Sequence, residues 1–287
     1  MKIAVIGANG QLGSDICDAL EANGDELVKL TIKDIDIVDK NSIESAFENL
    51  SVDFIINTAA YHNVELCEEN QIKAFEVNAL GSLNLANLAN NIDIPVLHIS
   101  TDYVFDGEKK APYIETDRPV PLNVYGNTKL SGEYFISTVA KKYYVLRVSG
   151  IYGTNPCMAK GYNFVDLMIK LSKERDEVRV VDDEFLTPTY TGEIANQIVK
   201  MVHTNPKYGL YHVTAEGSCS WYEFAKEIFK LTESTVKLNR ANPGEFAIKI
   251  NRPKYSVLEN RGLKEQNINI MSNWKDGLLK YIKKKYS

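Results

Sequence analysis

The chain has 287 residues, 44% of them hydrophobic and 25% charged, enough to bury a substantial core in one or two domains. Its net charge of −5 gives no electrostatic reason to expect nucleic acid as a partner. No apolar run reaches the roughly 18 residues of a membrane span, and a strand starting at residue 2 leaves no room for a secretory leader, so a cytoplasmic location is expected.

Ile3-Ala4-Val5-Ile6 reads as a buried strand, and Gly7-Ala8-Asn9-Gly10-Gln11-Leu12-Gly13 follows it at once. Apolar residues at Leu12, Ile16, Ala19 and Leu20 predict a helix over residues 11–22. Further strands are expected at 26–30, 54–57, 96–100 and 143–147, with helices near 42–49, 72–91 and 125–139. This alternation predicts an α/β protein with a Rossmann-type doubly wound parallel sheet.

Beyond Arg147 the rhythm changes. Glycines and prolines cluster from Gly150 to Gly161. A helix is expected near 163–173, a strand at 178–181, a helix at 193–203 and a short strand at 209–213. Residues 221–231 form an amphipathic pattern with Trp221, Phe224, Ala225, Ile228 and Phe229 on one face. Residues 1–150 are therefore expected to form the dinucleotide-binding domain. Residues 151–287 should build mostly a smaller C-terminal substrate-binding lobe, with segments near 178–213 returning to the sheet. The terminal Lys283-Lys284-Lys285 run reads as a solvated tail. Cys17, Cys67, Cys157 and Cys219 are far apart and form no CxxC pair, which points to free thiols in a reducing compartment.

Gly7, Gly10 and Gly13 follow GxxGxxG spacing between a strand and a helix. The first permits the tight turn, and the others let backbone approach a pyrophosphate at the helix N-terminus. At the end of the second strand stands Thr31 with Lys33 nearby, where an acid would grip a ribose 2′-hydroxyl. That tilts the expectation toward NADPH over NADH; the alternative is a Lys33 that simply points to solvent. Asp36 and Ile37 are candidates for the adenine end. Ala60, Tyr61 and His62 follow a strand end and are candidates for cofactor contact, His62 as a positional contact.

Tyr125 and Lys129 share one side of a helix through their i,i+4 spacing. Tyrosine ionises near ~10, and a nearby ammonium lowers that value by stabilising phenolate. Lysine can also hold a nicotinamide ribose hydroxyl, so both residues count as cofactor contacts too. Thr101, at the end of the fourth strand, adds a hydroxyl for the reacting oxygen. The expected reaction is hydride delivery to a ketone carbon while Tyr125 protonates the developing alkoxide.

At this point the residues resemble the dTDP-4-dehydrorhamnose reductase family of the extended short-chain dehydrogenase/reductases. The resemblance covers nearly the whole chain. It rests on Gly7–Gly13, Asn57–Tyr61 with Val64-Glu65, Ser100–Gly107, Tyr113 with Glu115, and Pro121–Glu133. It continues through Asn163-Phe164-Val165, Thr187-Pro188-Thr189, Ser220–Ala225 and Arg252–Leu258. It implies reduction of dTDP-4-dehydro-β-L-rhamnose to dTDP-β-L-rhamnose. Thr101, Tyr125 and Lys129 match the family's catalytic positions; Gly10–Leu12, Asp36-Ile37 and Ala60–His62 match its cofactor contacts. Thr101 and Asp102 match substrate contacts, and Asn163 and Gly150 join them as candidates. Arg252 is a candidate for the nucleotide diphosphate through bidentate hydrogen bonds, with a structural salt bridge as the alternative.

The chain departs from the family in two places. Ser149-Gly150-Ile151-Tyr152-Gly153 stands where the family often has Ser-Trp-x-Tyr-Gly, with the Trp against the sugar, so a widened pocket or a different sugar is expected. Asp182-Asp183-Glu184-Phe185-Leu186 stands where Asp-Gln-x-Gly is usual. Some relatives bind Mg2+ at a dimer contact; here no ligands can be assigned to it, no other metal site is expected, and a homodimer is an open expectation. Tyr103 after Asp102 leaves no Asp-Glu pair for a dehydratase. An NAD-dependent 4-epimerase and a non-catalytic subunit like the regulatory one of methionine adenosyltransferase are the competing readings.

Overall fold

The structure is a computed structural model that describes residues 1–156, 161–242, 245 and 250–286. Its first half runs β1 (Lys2–Ile6), α1 (Gln11–Ala22), β2 (Glu26–Leu30), α2 (Lys40–Phe47), β3 (Phe54–Asn57), α3 (Val64–Glu69) and α4 (Gln71–Phe75). A π-helical turn at Glu76–Leu80 leads into α5 (Gly81–Asn91), β4 (Val96–Thr101), α6 (Val124–Val139) and β5 (Tyr143–Val148). Then come β6 (Ile151–Tyr152), α7 (Phe164–Glu174), β7 (Glu177–Val180), β8 (Phe185–Leu186), β9 (Thr189–Tyr190) and α8 (Thr191–Thr204). The chain closes with β10 (Gly209–His212), β11 (Cys219–Ser220), α9 (Trp221–Leu231), β12 (Lys237–Arg240), α10 (Arg261–Glu265) and α11 (Trp274–Tyr286).

The main sheet has six parallel strands in the order β10-β5-β4-β3-β1-β2. Its central strands are apolar on both faces because helices cover both. Ile3, Val5, Phe54, Ile56, Leu97 and Leu146 pack on α1 and α8 through Ile16, Leu20, Ile194 and Ile198. Their neighbours Ala4, Ile6, Ile55, Val96 and Val145 face Ile43, Phe47, Leu85, Ala89 and Ile136 of α2, α5 and α6. The alternation along each strand thus divides the core into two layers. Within 178–213, β10 forms the sixth strand, whereas β7 pairs with β12 in a small sheet of its own.

The C-terminal lobe has a separate core rich in aromatic rings, built from Tyr152, Tyr190, Phe224, Trp274 and Tyr281 with Val165, Val178 and Ile228. Helix α9 starts at a capping box in which Ser220 and Glu223 satisfy each other's backbone N–H groups. The expected lysine tail is the end of helix α11, with Lys283 and Lys284 exposed and Lys285 half-buried. Lys285 Nζ lies 2.8 Å from Asp166, and Lys284 Nζ lies 3.8 Å from Asp15 on α1.

The continuous helix expected at 72–91 is broken into α4, the π-helical turn and α5. Asn78 in that turn accepts from Tyr61 N at 2.8 Å and donates to Tyr61 O and Thr128 Oγ1. These bonds hold the extra residue of the wide turn, as π segments beside functional sites often do. Cys17, Cys67 and Cys219 are buried free thiols; Cys157 lies outside the described residues.

Candidate active site

The glycine turn lies where β1 hands over to α1. A Cβ on Gly13 would sit 2.2 Å from Gly7 O, so only glycine lets the helix come this close to the strand end. Gly10 is the N-cap of α1, and no side chain bonds there. The first N–H groups of the helix, from Gln11 and Leu12 onward, therefore face outward as donors for an anion. That donor set fits a dinucleotide pyrophosphate. Gln11 Nε2 donates to Asn155 O at 3.2 Å, which closes the turn from the lobe side.

Around the turn, Ile37 is buried, while the Asp36 carboxylate accepts from Val38 N at 3.0 Å. Thr31 donates through its N–H and its hydroxyl to Asp34, so the acid after β2 is folded back into its own turn. Lys33 is exposed. Ala60 and Tyr61 are half-buried beyond β3, and His62 is exposed with Nδ1 3.4 Å from Ala60 O.

Thr101 closes β4 and Tyr125 opens α6, whose N-cap Asn123 accepts from Gly126 N at 2.9 Å. Asn123 also donates to Asn251 O at 2.9 Å, linking this helix start to the segment that carries Arg252. The Thr101 hydroxyl stands beside the Tyr125 phenol, and the Tyr103 ring meets Tyr125 edge-on at 5.8 Å. Burial pushes the Tyr125 phenol well above its ordinary range; the neighbouring Thr101 hydroxyl works against that shift, and the Asp102 charge adds to it. This differs from the expected lowering by Lys129. Lys129 is buried beneath the site and donates to Ile99 O at 2.6 Å, with His98 Nε2 at 3.1 Å. Burial pushes its ammonium down to about 8, against the pull of Glu133.

Asp102 lies behind Thr101. Its carboxylate takes hydrogen bonds from Ser149 at 2.8 Å, from Thr101 at 3.1 Å and from Ser256, and burial raises its pKa despite them. It ties β4, the end of β5 and the Arg252–Leu258 segment together, so it acts as an anchor for Thr101. The expected direct sugar contact would have to compete with three hydroxyls.

Gly150 follows Ser149 with φ of +52°, and a Cβ there would lie 2.6 Å from Leu186 Cδ1. Leu186 is buried in β8 and fills the space beside Gly150. The two departures from the family pattern thus touch, with the Leu186 side chain lying against Gly150. Asn163 serves elsewhere. It caps α7 through Asp166 N, and its amide donates to Gly153 O and Tyr281 Oη at 3.0 Å, inside the lobe. Arg252 is exposed, and among the described residues no carboxylate reaches ion-pair distance of it. Its charge acts on Tyr103 and on Glu184, which accepts from Trp221 Nε1 at 3.2 Å.

Several residues of this site escape a reading of the sequence: His98 and Asn57 under Lys129, Ser149 and Ser256 around Asp102, and Leu186 beside Gly150. A histidine inside the apolar run Val96-Leu97-His98-Ile99 was the one available signal, since a polar group in a central strand needs a partner. Among the described residues no group of three or more carboxylate, imidazole or thiol side chains is placed to hold a metal ion, and no helix is long and apolar enough to cross a membrane.

Comparison with known proteins places this geometry. The family model of the RmlD substrate binding domain matches residues 1–287. The chain is 36% identical over 286 residues to the spore coat polysaccharide biosynthesis protein SpsK of Bacillus subtilis (strain 168), covering 100% of this chain and 98% of that one. It superposes with a TM-score of 0.93 on the crystal structure of a dTDP-4-dehydrorhamnose reductase from Clostridium acetobutylicum ATCC 824, at 41% identity and 99% coverage of each chain. A dTDP-4-dehydrorhamnose reductase from Bacillus anthracis str. Ames, in complex with NADP, gives the same TM-score at 35% identity and 99% coverage of each.

Proposed function

The chain belongs to the RmlD substrate binding domain family, and from that premise we propose that it is an NAD(P)H-dependent reductase of the 4-keto group of a nucleotide-activated deoxysugar. The substrate is dTDP-4-dehydro-β-L-rhamnose and the product dTDP-β-L-rhamnose. The observation that carries the reading is the Thr101–Tyr125 hydroxyl pair at the carboxyl end of β4, with Lys129 buried beneath it.

The glycine turn and Ala60–His62 would hold a reduced nicotinamide, which would supply the hydride. The residues of this chain do the rest. Tyr125 donates its phenolic proton to the developing alkoxide, and its raised pKa keeps that proton in place until the oxygen needs it. Asp102 fixes the rotamer of Thr101, which lies against the same oxygen. Arg252, unpaired by any described carboxylate, is assigned to the diphosphate. Leu186 supplies the apolar wall next to Gly150. Residues 1–150 hold the cofactor, and the lobe built mostly from 151–287 holds the sugar.

NADPH is the preferred form in this proposal, because Asp34 is sequestered by Thr31 and Lys33 is exposed beside it. Lys33→Ala should narrow the preference for NADPH over NADH in kcat/KM; an unchanged ratio removes Lys33 from the cofactor site. Sedimentation velocity tests the homodimer expected from the sequence.

The deciding experiment follows NAD(P)H oxidation with a panel of dTDP-, UDP- and GDP-linked 4-keto sugars. Consumption with the dTDP-4-keto-6-deoxy sugar is the expected result. Sugar isomerisation without net cofactor turnover makes the protein an epimerase, and binding without either makes it a scaffold. Tyr125→Phe should cut kcat by ~10²–10⁴-fold, the usual worth of a general acid, with NADPH affinity kept.

A further inference from the structure

Strand β4 carries a histidine to which the chemistry above gives no task. His98 is fully buried, and both of its ring nitrogens are engaged, Nδ1 with Asn57 Nδ2 and Nε2 with Lys129 Nζ, each at 3.1 Å. Ala59 N–H donates to Asn57 Oδ1 at 3.1 Å, which fixes the direction of the amide. Asn57 must then donate to His98 Nδ1. A neutral imidazole that accepts at Nδ1 carries its proton on Nε2. That N–H points at Lys129 Nζ, and a hydrogen bond there needs a lone pair on the lysine nitrogen. An ammonium has none.

The opposite arrangement is no better satisfied. If the Lys129 ammonium donates to Nε2, the imidazole proton moves to Nδ1 and opposes the Asn57 amide hydrogens. Turning that amide sets it against Ala59 N–H instead. Only the free amine satisfies every contact; the ammonium leaves one opposed contact in a buried network, where such contacts are costly.

We propose that Asn57 and His98 are positioning residues that hold Lys129 between ammonium and free amine, so that its charge switches within the working pH range. The assignment of Lys129 to the cofactor and proton-donor site comes from the proposed function. The other groups around Lys129 do not impose this balance. Glu133, one turn along α6, favours the ammonium, but its charge is already met by Arg147 from β5 at 2.6 Å and by Ser100 from β4. Ile99 O accepts from either form of the lysine. Asn78 and Ser82, from the π-helical turn and α5, border Gly132 beside His98 and bring no charge. Tyr125 on the same helix is a neutral phenol. Burial moves Lys129 in the same direction, and His98 is kept neutral first by burial and then by the lysine charge.

Imidazole ¹⁵N shifts of the intact protein report the tautomer directly. On the alkaline side of the Lys129 transition the proposal expects Nε2–H with Nδ1 unprotonated; an Nδ1–H tautomer there overturns it. Asn57→Asp places an acceptor against Nδ1, draws the proton there, and frees Nε2 to accept from the ammonium. The inflection in NADPH affinity against pH, read by nicotinamide fluorescence, should then move up by ~1 pH unit or more. His98→Gln, which can turn its carbonyl to the ammonium, should move it the same way. If both variants weaken binding evenly at every pH without moving the inflection, the pair is structural only and the proposal fails. No sugar enters either measurement, so failure of the sugar assignment leaves the test standing.

Discussion

Beneath the carboxyl ends of β4 and β5, burial is given to ionisable side chains: His98, Asp102, Lys129, Glu133 and Arg147 all lie inside one layer. In the C-terminal lobe the same depth is filled by rings. Tyr152 meets Tyr281 edge-on at 5.1 Å, and Phe224 meets Trp274 edge-on at 5.8 Å. There the charged partners stay at the margin, where Asp166 accepts from Tyr281 and Tyr286 and pairs with Lys285. Apolar rings stabilise by area removed from water and do not oblige their neighbours to match them. Buried charges must be paired one by one, so the layer under the active site is the more exacting part of the molecule.

The largest expected effect breaks that exacting layer. Arg147 pairs with Glu133 through two bonds, at 2.9 and 2.6 Å, and both residues are buried. Glu133→Ala leaves the guanidinium unpaired and should cost about 3–5 kcal/mol in denaturant unfolding. Replacing both partners by Met and Leu should recover most of that loss, because paired removal leaves no orphan charge. Phe224→Ala is the matching cut in the lobe. It should cost about 3–5 kcal/mol as a cavity, yet leave NADPH affinity within about twofold, since α9 lies outside the cofactor sheet. Equal losses of cofactor binding in the two variants would erase the distinction between the layers.

Next in size is a pH effect confined to the polar layer. The folded-state pKa of Lys129, about 8, lies below its ordinary 10.5. Between those values the unfolded chain binds a proton that the folded chain does not. Stability should therefore rise with pH through this window, by about 3 kcal/mol in all, and the cost of the buried ammonium is fully present below it. Unfolding midpoints of wild type and Lys129→Met, compared from neutral to alkaline pH, isolate this term. A constant difference between them would sink it.

The smallest effect tests the seam between the regions. Gly150→Ala forces a Cβ into a left-handed backbone position and against Leu186, and should cost about 1–2 kcal/mol. Paired with Leu186→Ala, the steric part should vanish while the backbone part stays. A double-mutant cycle in thermal unfolding reads the coupling.

The parts of this molecule that the sequence discloses are those whose cause is local. The glycine turn, the Tyr125–Lys129 spacing and the alternating strands each follow from neighbours a few residues apart. Helix α11 hid because Lys283-Lys284-Lys285 looks like a tail until Asp15 and Asp166 are brought beside it. Leu186 and Gly150 are 36 residues apart, and nothing in either neighbourhood announces that they meet. Asn163, a substrate candidate in a segment that carries the family resemblance, spends its side chain on Gly153, Tyr281 and the start of α7, partners that its neighbours in sequence do not announce. The placement of Lys129 one turn from Tyr125 on α6 was legible from spacing alone, but its partners on β3 and β4 were not.

The contact between Leu186 and Gly150 also imposes an order on change. A side chain at position 150 finds its space taken until residue 186 becomes small, whereas trimming residue 186 first leaves only a void that a later, larger neighbour can occupy. Histories that exchange one wall for the other are thus funnelled through the shrunken leucine position, and directed evolution of new sugar preference should sample position 186 before position 150.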